Sequence, residues 1–462
     1  LFGFFMPLTL IIVMITYRID IKVALAAAIA AESVFGIFIG RTWGEIERSA
    51  MNGISRISQT IIIMILIGMI IGVWISSGSI QTMLYYGLNM INPKFFVPIT
   101  FLICIITSTM TGTSWGTAGT MGIALIGVAQ GLGVPIPLVA GAIISGALVG
   151  DKLSPLSDTT LLASAVTEVN LFDHIVSLAH VTIPVSVIAV VLYTYFGLQY
   201  GAGTADLRTV QVISDTLKAH YAIGPLMLAP LLFVLVMSGM RKPSIPVFAG
   251  GVLLGMIWAV AFQDMELADV VKASINGFVS KTGNADVDKL LTRGGAMDMA
   301  GTIFLCIGAG MFAGVFEATG VLSRLMASLV RIVRNVGTLV TAVVATGTAL
   351  MFGGAGQTCT ISLPAVAFRK AFEDMDVHPA VLSRTLECTG TVLGAIVPWD
   401  ASAILYTGLF GVTVAQYLPY VYLSLLSPIV AILTAYMGFG VFRYNEKVRL
   451  FAFKKKEDTL EK

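Results

Sequence analysis

Long apolar stretches separated by short polar ones dominate the chain. A helix needs about twenty apolar residues to cross a bilayer, and stretches of that kind run roughly over 1–17, 21–40, 60–76, 95–111, 134–150, 174–198, 222–238, 244–262, 299–316, 336–352, 378–397 and 415–440. Shorter apolar pieces at 117–131, 159–166 and 401–412 read as half-helices or re-entrant segments. The pattern predicts an all-α polytopic membrane protein of about twelve transmembrane helices. The opening "LFGFFMPLTLIIVMITY" has no small-residue cleavage site before polar sequence and reads as a spanning helix, not a signal peptide. Two stretches, "WGEIERSAMNGISRI" (43–57) and "LSRLMASLVRIVRNV" (322–336), carry charge at helical spacing and are expected to lie in the membrane interface.

The most hydrophilic internal segment, 199–221, connects a first half (1–198) to a second (222–442), and a basic tail follows from 443 to 462. The halves resemble each other. "GVWISSGSI" (72–80) aligns with "GVFEATGVL" (314–322), 242 positions on, and "GTAGTMGIAL" (116–125) with "GQTCTISLPA" (356–365), 240 on. "SGALVG" (145–150) aligns with "TGTVLG" (389–394), 244 on, after which Pro155 matches Pro398 and Asp158 matches Asp400. Pairs of glycines four apart, which let a second backbone approach closely, recur in step at Gly68/Gly72 with Gly310/Gly314 and at Gly146/Gly150 with Gly390/Gly394. Related halves with an interrupted apolar segment at matching places are the signature of a secondary transporter, whose repeats are commonly inverted. The interruptions here are "GDKLSPLSDTT" (150–160) and "GAIVPWDAS" (394–402).

Composition agrees with this pattern and narrows it. Of 462 residues 56% are hydrophobic and 12% charged, and mean hydropathy is +0.90, far from the roughly 25% charged residues of soluble domains. Net charge is +2, with no basic tract of the kind that binds nucleic acid. Cys104, Cys306, Cys359 and Cys388 are scattered singly, and His174, His180, His220 and His378 lack metal-ligand spacing. No G-x-x-x-x-G-K-[ST] loop is present, so this chain holds no site for ATP of that type. Lys447, Arg449, Lys454, Lys455 and Lys456 place the C-terminus in the cytoplasm by the positive-inside rule.

The chemistry concentrates at the interruptions. A helix stopped within the bilayer exposes backbone groups whose carbonyl end attracts a cation and whose N–H end attracts an anion. Pro155 and Pro398 mark such stops, and Asp158 and Asp400 lie within three residues of them. A buried carboxylate must pair, bind a cation or take a proton, and one group that holds Na⁺ or H⁺ but not both is the minimum machinery for exchanging them. Asp158 is thus the first candidate for the shared site and Asp400 its symmetry partner, although either aspartate can equally serve as a helix N-cap. Asp151 is a further candidate that neighbouring Lys152 can neutralise. Hydroxyls in "TSTMTGTSWGTAGT" (107–120), Thr113 and Ser114 among them, are hard oxygen ligands suited to Na⁺ at Asp158, but such hydroxyls also bond back to their own helix. Gln357, Thr358 and Thr360 occupy the equivalent place in the second half. Three more acids sit in apolar context: Glu32, Glu317 and Glu387, of which Glu387, eleven residues before Pro398, is best placed to face the centre.

"GTSWG" (112–116) matches a G-x-S-x-G nucleophile elbow with Ser114 as nucleophile, a motif that requires a strand-turn-helix setting. A membrane-embedded serine hydrolase is therefore the rival from another class, and a passive channel is a third reading.

"GTSWGTAGTMGIALIGVA" followed by "GDKLSPLSDTTLLASAV", with "PWDASA" in the second half, resembles the NhaC-type sodium/proton antiporter family over roughly 20–440. The resemblance implies a bacterial inner-membrane secondary transporter that exchanges Na⁺ for H⁺ by alternating access. Alternatively it implies a relative that exchanges malate for lactate with coupled Na⁺ and H⁺. The family signature falls on Asp151, Lys152, Ser154, Pro155, Ser157, Asp158 and Thr159. Candidate cation and proton ligands are then Asp158, Asp400, Asp151, Ser157, Thr159, Thr113, Ser114, Gln357 and Glu387, with Lys152 or the helix start at Thr159 for a substrate carboxylate. No prosthetic group is required. The partners are the two ions, an organic acid in the second reading, and the bilayer; a homodimer is compatible with the sequence, which carries no signal for oligomeric state.

Overall fold

Apolar chain in a bilayer must satisfy its backbone hydrogen bonds internally, and this chain does so with helices. A computed structural model describes residues 2–17, 19–90, 93–201, 207–240, 242–321, 324 and 333–450. Most of the amphipathic stretch 322–336 and Lys454, Lys455 and Lys456 of the basic tail lie outside these residues. Among the described residues β pairing is limited to one isolated bridge, Phe278 to Arg293.

The helices that position the site are α1 (Ile21–Phe38), α2 (Trp43–Arg56), α3 (Ser58–Ser76), α4 (Phe96–Thr111), α5 (Ser114–Thr117 continuing through a π turn at Ala118–Gly122 to Ile123–Gly131), α6 (Ile136–Leu153), α7 (Asp158–Val166), α8 (Leu171–Gly201), α9 (Ala300–Ala318), α10 (Val336–Phe352), α11 (Gly356–Asp374), α12 (Pro379–Gly390), α13 (Ala401–Phe410) and α14 (Tyr422–Met437). Seven helices are long and apolar enough to span a membrane, or ten if each of three bent pairs counts as one span. The sequence pattern gave about twelve. The difference arises at helices too short to qualify, such as Phe2–Thr16 with 15 residues and α10 with 17. One of the bent pairs is Pro379–Ile396 with Ala401–Phe410, turned by 43° at the second interruption.

Each half contributes a helical hairpin and an interrupted helix. In the first, α4 stops at Gly112, whose φ of +68° caps the helix in the left-handed conformation that glycine adopts without strain, and α5 starts after Thr113. Thr113 Oγ1 accepts the Gly116 N–H at 3.2 Å, capping α5. Next comes α6, broken at 154–157 before α7. In the second half α10 stops before Gly354, at φ +78°, and α11 returns; α12 is then broken before α13.

The two copies run in opposite directions. Residues near the start of α6 and the far end of α8 share one end of the bundle: Tyr193 donates to the Gly141 carbonyl at 2.9 Å and the Tyr420 carbonyl at 2.6 Å. The first hairpin, α4–α5, enters from that end, since Gly197 of α8 lies against Lys94. At the other end Arg369, near the close of α11, pairs with Glu168 just past α7 at 2.8 Å, and His378 N donates to the Phe442 carbonyl at 2.9 Å. The second hairpin enters from there. The repeats are thus inverted, the arrangement expected of secondary transporters.

The glycine pair in α6 explains how tightly the first copy is packed. A Cβ on Gly146 would lie 2.4 Å from the Phe101 carbonyl oxygen, and one on Gly150 2.4 Å from that of Ile105. These contacts bring α6 against α4, and Ser108 Oγ donates to the Ala147 carbonyl at 2.6 Å across the same seam.

Candidate functional site

The first interruption begins where α6 ends. Asp151 and Lys152, in its last turn, are both buried. The Ser114 N–H, at the tip of the hairpin and the start of α5, donates to Asp151 Oδ2 at 3.2 Å, and the hydroxyls of Ser114 and Ser157 face the same carboxylate. Ser154 turns away from it: its hydroxyl donates to the Thr109 carbonyl at 2.8 Å and fixes the break to the hairpin tip. Thr160 closes the break from the far side, donating to the Lys152 carbonyl at 3.2 Å.

Asp158 occupies a different setting from the one expected of a buried carboxylate. It is exposed in the first turn of α7, and Ser157 takes the N-cap position without a side-chain capping bond. The reason is local: the turn at 154–157 ends one residue before the aspartate, so Asp158 faces outward while Ser157 and Asp151 face in. Thr159, beside it, shares a 3.1 Å hydroxyl contact with Ser157. At the second interruption the cap is Asp400 itself, which accepts the Ser402 N–H at 2.9 Å and is buried.

The second half supplies the remaining groups. Glu387 of α12 is fully buried, with Oε2 accepting from the Thr391 hydroxyl at 3.0 Å and Oε1 buried without a hydrogen-bond partner among the described residues. Lys152 faces it, and the lysine Nζ donates to Cys388 Sγ at 3.7 Å on the same helix. Gln357, at the start of α11, donates to Ser402 Oγ at 3.1 Å and reaches the Thr391 carbonyl at 3.5 Å. Thr391 therefore touches both the Glu387 and the Gln357–Asp400 groups. Tyr406 of α13 bridges on the other side: its buried hydroxyl lies near Ser114, Asp151 and Asp400. Together these residues form one polar seam through the centre, with the carboxylates of Asp151, Glu387 and Asp400 in its interior and Asp158 at its accessible edge.

Other expectations resolve simply. Glu317 pairs with Arg56 between α9 and α2, at the end of the bundle where the second hairpin enters. Glu32 is buried in α1, away from the seam, near Thr319. Ser114 opens a helix and follows a helix, so the strand-turn-helix of a nucleophile elbow is missing. Thr391, Tyr406 and Cys388 escaped the sequence reading. Thr391 had a usable signal, four residues after Glu387 on the same helix face; Tyr406 and Cys388 had none.

A cavity of 490 Å³ reaches this seam. Its lining brings together the buried Asp400 and Ser402, Gln357, the indoles of Trp115 and Trp399, and the half-exposed Arg56. Among the described residues no group of three or more His, Cys, Asp or Glu side chains is arranged to hold a metal ion.

The family model described as the Na⁺/H⁺ antiporter family matches residues 2–167 and 146–439. The chain belongs to this family. As a member of the Na⁺/H⁺ antiporter family it is 38% identical over 440 residues to the malate-2H⁺/Na⁺-lactate antiporter of Bacillus subtilis, covering 94% of this chain and 93% of that protein. It is 34% identical over 429 residues to the Na⁺/H⁺ antiporter NhaC of Alkalihalophilus pseudofirmus, covering 93% and 92%. It is also 36% identical over 408 residues to the arginine/ornithine antiporter ArcD of Halobacterium salinarum, covering 87% and 84%. This family member is a multi-pass membrane protein and a secondary transporter, not an enzyme.

Proposed function

We propose that the protein exchanges Na⁺ for H⁺ by alternating access, with the shared site at Asp151. The observation that carries this reading is the convergence of three buried carboxylates, Asp151, Glu387 and Asp400, from both inverted repeats on one hydroxyl-lined seam. Buried acids of this kind are costly unless they take a proton or a cation. Asp151, with the Ser114 and Ser157 hydroxyls around it, offers hard oxygens to Na⁺ when ionised and gives them up when protonated. Asp158, at the accessible edge, admits the ion. Asp400 supplies the second charge, and Glu387 opposite Lys152 sets the potential between them. Thr113, Gln357 and Thr159 hold the broken ends in register and contribute oxygens to the passing ion. The inverted repeats provide two related conformations, one open to each side.

The end carrying Arg41, Arg48, Arg56, Arg443, Lys447 and Arg449 faces the cytoplasm in this reading, by the positive-inside rule, with the protein in a bacterial inner membrane. A second reading, organic-acid exchange coupled to both ions, draws on the B. subtilis relative whose name includes malate and lactate. Proton movement in energised everted vesicles separates the two. Collapse of the pH gradient on adding NaCl alone is the expected result. A response only after malate or lactate is added assigns the second reading.

A further inference from the structure

The cavity leading to Asp400 is larger and differently charged than Na⁺ and H⁺ require. At 490 Å³ it has the size of a small-molecule site, and its lining joins the half-exposed guanidinium of Arg56 to the buried carboxylate of Asp400. That guanidinium uses NH1 for Glu317, and a planar fork of five donors leaves others for a second planar anion. Trp115 and Trp399 line the same cavity, apolar faces suited to a short carbon chain, with Trp399 fixed by its Nε1 bond to the Phe352 carbonyl at 2.9 Å. A neighbouring cavity of 380 Å³ shares Arg56 and Glu317 and adds Arg41, Arg48 and Glu45, so three arginines against two glutamates frame the approach. Such an excess draws anions inward. Lys152, the sequence's candidate for a carboxylate, lies instead in the closed interior against Cys388 and does not line the cavity.

We propose that this cavity binds a small organic carboxylate, its carboxylate group held on Arg56 and its carbon chain between Trp115 and Trp399, within reach of a cation at Asp400. The inference deepens the organic-acid reading of the site and rests on it. Arg–carboxylate pairing is bidentate and charge-assisted, so the site selects planar carboxylates over chloride.

Cys359 is a built-in reporter. It lines the same cavity and is partly accessible, whereas Cys104, Cys306 and Cys388 are buried. In purified protein, alkylation of Cys359 by N-ethylmaleimide is followed by mass spectrometry of its peptide. Lactate or malate at ten times the half-protecting concentration slows the reaction by about tenfold, as mass action requires, while NaCl at equal ionic strength does not. Arg56→Gln raises the half-protecting concentration at least tenfold, and Glu317→Gln, which frees the guanidinium, lowers it. Absence of protection by either acid overturns the proposal, as does protection unchanged in Arg56→Gln. Should Arg56→Gln fail to insert, Glu317→Gln decides, and an unchanged half-protecting concentration there rejects Arg56 as the anchor. The assay involves no transport, so its failure is distinct from failure of the Na⁺/H⁺ reading. Protein that collapses the pH gradient with NaCl alone and shows no protection retains the first reading and loses this one.

Discussion

The two helix breaks share a sequence pattern and differ in what they bury. At the first, α6 carries Asp151 and Lys152 inward, while Asp158, the residue that matches Asp400, faces out. At the second, the positions matching Asp151 and Lys152 are Ala395 and Ile396, and Asp400 is itself the buried cap. The second copy has its own inward acid, Glu387, whose counterpart in the first is Ile143. Even the glycine pairs diverge. Gly146 and Gly150 admit the backbone of α4, whereas Gly390 faces the side chain of Ile361 and Gly394 the carboxylate of Asp400. The two breaks thus share a scaffold and differ in charge: one buries adjacent acid and lysine side chains, Asp151 and Lys152, and the other a capping acid, Asp400. The lesson is that internal symmetry in sequence finds matching breaks without saying which of their acids is buried.

The comparison can be broken at several points, and the largest effect is structural. Gly150→Val drives a side chain into the Ile105 carbonyl; overpacking of this kind costs about 1–3 kcal/mol or more, and the protein should largely fail to accumulate in membranes, whereas Gly390→Ala in the second-half pair, at the position matching Gly146 and against the movable Ile361 side chain, should accumulate. Membrane yields on immunoblots check both. Asp151→Asn comes next: it inserts normally and loses Na⁺-dependent proton movement altogether. Asp400→Asn keeps a capping side chain, so it isolates the charge, and lowers exchange by about tenfold, in line with roughly 1.5 kcal/mol for a charged hydrogen bond. Equal loss at Asp151 and Asp400 would restore functional symmetry to the breaks. Thr391→Val, which removes the hydroxyl on Glu387 Oε2, costs about 1 kcal/mol and should shift the pH profile of exchange without abolishing it.

The smallest effect provides a contrast with an acid remote from both breaks. Asp288 accepts the Thr282 N–H and the Ser280 hydroxyl, each at 2.7 Å, and these donors hold its carboxyl below its ordinary value of 3.8. Because the folded value is depressed, the stabilisation is present above 3.8 and lost as pH falls through the folded value. Proteolysis within 277–295 should be unchanged between pH 7 and 5 and accelerate only below that ordinary value, and Asp288→Asn should remove the acid dependence.

Most of the architecture was legible because it follows from periodicity and composition. Apolar helices and the helix breaks within 150–160 and 394–402 come from local pattern. Inversion was not, since it depends on which ends meet, as Glu168 does with Arg369. The identity of the inward acid was hidden for a similar reason. Whether Asp151 or Asp158 faces in turns on the break ending at Ser157, a shift of one residue that hydropathy does not register. The contact of Lys152 with Cys388, which brings it near Glu387, spans more than two hundred residues of chain, and Tyr406 reads as an ordinary apolar-helix tyrosine until α13 is set against Ser114. Arg56 looked like an interfacial charge, and its place in a cavity lining emerges only from the packing of α2 and α11 around that cavity.

The central claim, that a buried acid of the first break carries the exchange, is tested most directly by comparing wild type, Asp151→Asn and Asp158→Asn in everted vesicles, with NaCl-induced collapse of the pH gradient as the readout at matched membrane content. The account predicts full collapse in wild type, none in Asp151→Asn and a weakened response at low Na⁺ in Asp158→Asn. Undiminished exchange in Asp151→Asn would contradict it.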